Sequence, residues 1–349
     1  MNRSTMNVTA VELAGHEAME WDRYVLASPH ASGYHLLRWR SVIEGAFGHQ
    51  TCYLLAKDPS GDPRGVLPLV MLSSRVFGTF LVSLPFVNYG GMIGDQRAKA
   101  CLLEKAIERA QSLGALHIEL RHQEPCDIGL PSSHRKVSMR MKLPQQFELL
   151  WKGFPSKLRS QIRRAQKENM TVRFGGIECL DDFYAVFSRC MRDLGTPVYP
   201  KHFFRAICEC FPKESRICLV SSNSRPLAAG FLYGFRSLLE IPWAASDKRF
   251  SRLAPNMLLY SSVLEHACRE GFQVFDFGRS TPNSGTYRFK EQWGAEPHQL
   301  YWHYWISSGG GIPQLNPQNP KYALAIKMWQ QLPVSVANWL GPHIVKYLP

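Results

Sequence analysis

Apolar residues recur along this chain at two spacings, and each change of spacing marks an element boundary. Alternating or continuous short runs predict strands at residues 51–56, 65–72, 80–84, 116–120 and 137–143, with a weaker one at 8–13. Helical spacing predicts helices at 17–26 and 36–47, and a third that Asp95 caps and that runs to Leu113, where Gly114 stops it. The second half follows the same plan. Strands are predicted at 171–174, 217–221, 227–235, 238–244 and 274–277, and helices at 181–194, 203–211 and 256–269.

Placing Gly114 on Gly271 extends the likeness between the halves. Ile107 then falls on Leu264, Ala110 on Ala267, Ile118 on Phe275 and Glu119 on Asp276. A helix, a glycine stop and a strand carrying a carboxylate thus occur twice, too far apart for a solenoid repeat. Two copies of one domain account for this; chance likeness over a short window is the competing reading. The expected fold is α/β, built as mixed α+β sheets. The expected divisions are 1–150, 151–306 and a tail from 307 to 349.

The richest stretch for chemistry runs from Val274 to Ala295. A short apolar strand holding Asp276 drops into turn residues Gly278, Pro282, Asn283 and Gly285, then Tyr287-Arg288-Phe289-Lys290 follows. A carboxylate at a strand end, a Gly/Pro loop and a lysine beside aromatic rings edge many ligand pockets. The plainer reading keeps Asp276 as a turn residue, Lys290 as solvated and the aromatics as core. Asp276-Phe277-Gly278 also spells the kinase metal-binding tripeptide, but no glycine-rich nucleotide loop precedes it.

At the junction, 147–170, Leu158, Ile162 and Ala165 form one apolar helical seam. Lys152, Lys157, Arg159, Arg163, Arg164 and Lys167 fill the rest, with no acid between Lys152 and Glu168. Such a face is either simply solvated or the resting place of an anion that relieves the repulsion. The tail opens on Gly309-Gly310-Gly311 and extended Pro313, Pro317 and Pro320, then predicts short helices at 322–331 and 334–340. It reads either as a packing tail or as a membrane-surface or partner helix, since Trp329 and Trp339 share it with Lys327, His343 and Lys346.

Bulk composition narrows the partners. The 349 residues suit two domains, and 45% hydrophobic content fills both cores. A net charge of +13 favours an anionic partner such as a nucleotide-like cofactor, nucleic acid, an acidic carrier or an acidic glycan. Nine scattered cysteines without C-x-x-C spacing argue for a reducing compartment. The first fifteen residues carry no apolar signal region, and the longest apolar run, 76–87, is too short and interrupted to span a bilayer, so the expected location is cytoplasmic. The histidines show no metal-binding spacing and no G-x-S-x-G elbow occurs, so neither a metal nor a serine nucleophile is expected.

The run Tyr287-Arg288-Phe289-Lys290-Glu291, a dozen residues after Asp276-Phe277-Gly278, resembles the FemAB family, as does the helix following Leu253-Ala254-Pro255-Asn256. The tail Ile312-Pro313-Gln314-Leu315-Asn316-Pro317, then Asn319-Pro320-Lys321-Tyr322, resembles a narrower branch associated with exosortase/PEP-CTERM and exopolysaccharide systems. The resemblance implies two tandem GNAT-like acyltransferase domains with a C-terminal helical tail. It also implies transfer of an acyl or aminoacyl group to an amine, with the Phe289–Lys290 pair at the reaction centre. The donor is then acyl-CoA or aminoacyl-tRNA, and no permanently bound cofactor is expected. The coiled-coil arm of some tRNA-using members is missing here, which weakens the tRNA reading. The acceptor implied is an amino sugar or its nucleotide-linked form.

Within that frame Lys290 would balance an oxyanion, Asp276 or Glu240 would take the amine's proton, and Tyr287 would protonate the leaving group. Arg249, Arg252, Asn256 and Arg279 are candidates for the donor's phosphates, at and near a helix start suited to anions. Lys157, Arg159, Arg163, Arg164, Lys167 and Trp243 are candidates for substrate or anion contact. A non-catalytic protein gripping an acidic glycan or nucleic acid through the basic junction is the rival outside enzymology.

Overall fold

The computed structural model describes residues 7–75, 77–308, 311–312 and 320–348, with backbone alone at 320–322. The glycine joint, apart from Gly311, and the Pro/Asn run 313–319 that carries the narrower resemblance lie outside the described residues.

In chain order the first half gives β1 (Thr9–Glu12), α1 (Ala18–Ala27), α2 (Arg38–Phe47), β2 (Thr51–Lys57), β3 (Pro63–Ser74), β4 (Gly78–Val82), β5 (Ile93–Gly94), α3 (Gln96–Ser112), β6 (His117–His122), β7 (Ser132–Ser133) and β8 (Val137–Lys142). Two helices, α4 (Phe147–Gly153) and α5 (Ser156–Lys167), make the junction. The second half gives β9 (Thr171–Gly175), α6 (Leu180–Leu194), α7 (Lys201–Cys210), β10 (Ser215–Ser222), β11 (Arg225–Phe235), β12 (Leu238–Ser246), α8 (Pro255–Arg269), β13 (Val274–Ser280), α9 (Gly285–Glu291), β14 (Glu296–Gln299) and β15 (Tyr301–Ile306). The tail holds α10 (Pro320–Gln331) and α11 (Val334–Val345). Asp95 caps α3 as its side chain suggests, accepting from the Ala98 amide at 2.9 Å.

Two sheets result. The first runs β1-β2-β3-β4-β6-β15-β7, with β5 beside β3; the second runs β14-β8-β13-β12-β11-β10-β9. Each contains one parallel pair joined through a crossover helix: β4 and β6 around α3, and β12 and β13 around α8. The glycines that end these helices, Gly114 and Gly271, both turn left-handed, at φ 61° and 80°. Glu119 then pairs with Val82, and Asp276 with Glu240, at matching positions of the two parallel pairs. The repeat read from the sequence is therefore a repeat of structure.

The division between units differs from the expected one. Unit 1 is Met1–Arg135 with Gln299–Gln314 and Lys346–Pro349; unit 2 is Lys136–His298 with Leu315–Val345. Strand β8, expected in the first domain, pairs with β13 in the second sheet. Residues 301–306, assigned to the second division but not expected as a strand, form β15, which pairs with β6 and β7 in the first sheet. Apolar alternation marks a strand but says nothing about which distant strand completes its hydrogen bonds, and that choice sets the unit.

In unit 2 one sheet face buries Met139, Met141, Leu239, Ile241, Phe275 and Phe277 against α5 and α8. Leu158, Ile162 and Ala165, the predicted seam of α5, are its buried residues. A second cluster packs Phe183, Phe204, Phe231 and Trp243 at 5.0–5.6 Å, edge to face except for the tilted Phe204–Phe231 pair.

Candidate active site

Strict alternation on three neighbouring strands builds a polar row in unit 2. Asp276 lies between Phe275 and Phe277, Glu240 between Leu239 and Ile241, and Ser138 and Arg140 between Val137, Met139 and Met141. The apolar members enter the core beneath α8, so the polar ones project from the opposite face. Register sets Glu240 beside Asp276 and Asp276 beside Arg140.

Asp276 is fully buried and fully engaged. Ser138 Oγ lies 2.7 and 2.8 Å from its two oxygens, the Gly278 amide donates at 2.7 Å and Arg140 Nε at 3.1 Å. The Gly278 bond requires a bulge, where two residues of β13 face one of β8 and Gly278 takes φ 76°. The expectation of Asp276 as proton acceptor meets this geometry: its oxygens already hold the strands and the bulge in place. Glu240, also buried, is the neighbouring carboxylate.

Lys290 completes the cluster. The run Tyr287 to Lys290, expected as loop, is instead the helix α9, because Ser284 caps it by accepting from the Tyr287 amide at 3.2 Å. That turn aims Lys290 inward. It is 8% exposed, and its Nζ donates to the carbonyls of Gly278 at 2.9 Å and Arg279 at 3.0 Å. Burial pulls its pKa down to about 8; Asp276 and Glu240 resist that fall and Arg279 adds to it. Phe289 and Tyr287 are half-buried packing residues. The Phe289 ring meets Tyr260 at 5.1 Å and Trp293 at 6.3 Å, and Tyr287 rests on the same core.

Beside this cluster the sheet opens. Parallel pairing of β12 with β13 covers three residue pairs and ends at Glu240–Asp276, though β12 continues to Ser246 and β13 to Ser280. A bulge at Ile241-Pro242 bends β12 at that point, with a proline where no amide can pair onward. Next in the chain comes the start of α8, with Pro255 in its first turn and half-buried Asn256 behind it.

The basic candidates fall unevenly about that start. Arg249 is held by Asp247, and Arg252 is exposed. Arg164 of α5 reaches the Arg252 carbonyl at 2.8 Å, which brings one cation of the basic helix to the approach of α8. Lys157, Arg163 and Lys167 are exposed, Arg163 lying 5.6 Å over the Trp151 ring, and Arg159 is half-buried. Trp243 takes a core position, buried among Phe203, Phe204 and Phe231. Among the described residues no group of three His, Cys, Asp or Glu is arranged to hold a metal, and all nine cysteines are free thiols.

Residues 154–291 match the family described as acetyltransferase (GNAT) domain. A crystal structure of FemX aligns over 84% of this chain and 96% of its own, at 15% identity and TM-score 0.64. A tandem GNAT protein from the clavulanic acid biosynthesis pathway aligns over 88% and 100%, at 12% identity and TM-score 0.57. This is a FemAB-like tandem GNAT fold. L-PGS from Bacillus licheniformis also shares it, with 85% and 98% aligned, 11% identity and TM-score 0.53. Among curated proteins no sequence match is found.

The two GNAT domains differ at the matching gap. In the second, nothing in the described chain continues the β12–β13 pairing past Glu240–Asp276. In the first, the chain itself fills the space beyond Val82–Glu119. Residues 83–92 are buried throughout, and the Ser83 and Gly91 amides donate to the carbonyls of Glu119 and Arg121 at 2.9 and 2.8 Å. Arg121, itself buried, donates to the Val87 carbonyl at 2.7 Å and to Glu119 at 2.8 Å, and its own amide donates to Ser83 Oγ at 2.7 Å. Gly91 passes so close that a Cβ would stand 2.5 Å from His122 Cδ2 and 2.9 Å from the Arg121 carbonyl oxygen. Gly91→Ala is therefore expected to lose about 1–3 kcal/mol of stability by urea unfolding. A loss under about 0.5 kcal/mol would mean that this segment shifts freely out of the gap.

Sequence reasoning missed Ser138 and Arg140. The alternation Val-Ser-Met-Arg-Met-Lys-Leu shows their face, but the partner strand that makes them neighbours of Asp276 lies more than a hundred residues away.

Proposed function

We propose that this protein is an N-acyltransferase, moving an acyl or aminoacyl group from an activated donor to an amine. One observation carries the reading: in the second GNAT domain a parallel strand pair parts at two buried carboxylates, directly beside a buried lysine. An extended donor would lie between the parted strands, and the start of α8 with Asn256 and Arg252 offers partial and full positive charge to its phosphates. The acceptor nitrogen attacks the donor carbonyl, a C–N bond forms, and the bond to the leaving sulfur or oxygen breaks. The leaving group departs with the proton that the amine gives up, relayed through Glu240. Lys290 stabilises the oxyanion formed in between. Asp276, with Ser138 and Arg140, positions the bulge whose carbonyl holds Lys290.

Acyl-CoA fits this gap as donor. Aminoacyl-tRNA is the second reading, favoured by the exposed cations of α5 and by Arg164 at the approach of α8. An amino sugar or nucleotide sugar of exopolysaccharide or cell-envelope synthesis suits the acceptor role by analogy with the narrower resemblance.

Because the first domain's gap is filled by its own chain, one CoA is expected per polypeptide. Native mass spectrometry and calorimetric titration with CoA and acetyl-CoA measure this directly. Two CoA per chain would mean that residues 83–92 yield to ligand. No CoA at any ratio, with thermal stabilisation by aminoacyl-tRNA instead, would turn the donor reading over to tRNA.

A further inference from the structure

We propose that α10 and α11 form a docking face for an anionic membrane surface. Both helices are fixed to α6 along one side. Ile326 of α10 packs against Gly195, where any Cβ would collide with it, and Gln330 donates to the Asp193 carbonyl at 3.1 Å. Ala337, Gly341 and Val345 are the buried residues of α11. Asn338 donates to Ser188 Oγ at 3.2 Å, and Arg192 of α6 donates to the Leu332 carbonyl at 2.7 Å.

The opposite sides are the ones a surface helix ordinarily makes polar. Leu324 and Met328 stand about 160–200° round α10 from Ile326, and Trp339 about 200° round α11 from Ala337. Among the described residues of the tail, those outward positions hold the most exposed large apolar side chains: Leu324 at 63%, Met328 at 65% and Trp339 at 69%. Val336 and Ile344 add to the exposed apolar surface of α11.

Charge identifies the occupant. From Ser307 to the last residue the sequence contains no Asp or Glu, while Lys321, Lys327 and Lys346 lie within it. A protein partner would leave the tail free to carry either sign. Exposed Leu324, Met328 and Trp339 with exposed Lys327, in a tail whose sequence holds no acid, match the acyl boundary and the anionic headgroups of a bilayer. No helix among the described residues is long and apolar enough to cross a membrane, so the contact is peripheral.

Vesicle co-sedimentation of the full chain tests this, with phosphatidylcholine alone and with about 30% phosphatidylglycerol. Binding is expected to the anionic vesicles only, weakened by 0.5 M salt. The triple variant Leu324→Glu, Met328→Glu, Trp339→Glu is expected to bind at least about tenfold more weakly. It should keep the parent's circular dichroism and melting temperature, because all three side chains are exposed. Equal binding by the triple variant would overturn the proposal, as would failure to bind anionic vesicles. So would a concentration-dependent dimer that the variant abolishes in the absence of lipid, which would assign the face to a second copy of the chain.

Discussion

Lys290→Ala is expected to leave the chain folded and to lower kcat ~100- to 1,000-fold, about 2.7–4 kcal/mol of transition-state stabilisation. The side chain is buried, yet it is tethered through two backbone carbonyls rather than through the core, so its loss should spare the fold. The pH profile identifies its role. With a pKa near about 8, Lys290 is mostly an ammonium at neutral pH and loses its charge as pH rises through that value. If the ammonium balances the oxyanion, kcat falls through pH 8 in the parent, and that limb is absent from the residual activity of Lys290→Ala. A parent rate that climbs through the same range would instead make the neutral amine a proton acceptor. Stability carries the same signature with opposite sense. A lysine in the unfolded chain titrates near ~10.4, so between pH 8 and about 10.4 the unfolded state binds more protons than the folded one. Stability contributed by Lys290 therefore rises with pH across that window and is lowest where the group is charged in both states.

The residues of this cluster were unequally legible in the sequence. Asp276 and Lys290 stood out because a strand, a glycine and an aromatic-cationic run lie close together in the chain. Glu240 entered as an alternative, and the structure sets it beside Asp276. Arg140 and Ser138 did not enter, since only the pairing of β8 with β13 makes them neighbours, and register across so long a separation leaves no local trace. The helix α9 hid for another reason: Gly285 and Thr286 favour a turn, and the Ser284 cap that overrides them is worth only about 1 kcal/mol. Strand β15 was missed although Tyr301 to Ile306 is a short aromatic-rich run of the kind that predicts a strand; its partners, β6 and β7, lie far back in the chain within unit 1. By contrast the α5 seam and the twofold helix–glycine–strand unit are patterns within short windows, where sequence and local structure coincide.

Asp276→Ala should be the most damaging single change to the stability of the second domain. Ser138, Arg140 and the Gly278 amide all direct donors at a carboxylate with no exposure to water, and Lys290 lies close enough to feel its charge. Removing one partner of a buried pair costs about 3–5 kcal/mol. The lower end is expected, because the Arg140 side chain keeps 20% exposure and can rehydrate. Urea unfolding measures the loss, and a cost below about 1 kcal/mol would mean that the strands and bulge hold themselves without the carboxylate. Asp276→Asn separates packing from charge. It preserves volume but turns an NH2 toward donors already in place, so part of the destabilisation should remain. Both variants also remove the negative charge that holds the Lys290 pKa up, so the alkaline limb of kcat should move below pH 8 in each. A limb that stays in place would show that Lys290 is governed by Glu240 and burial alone, leaving Asp276 with a purely mechanical part in holding the bulge.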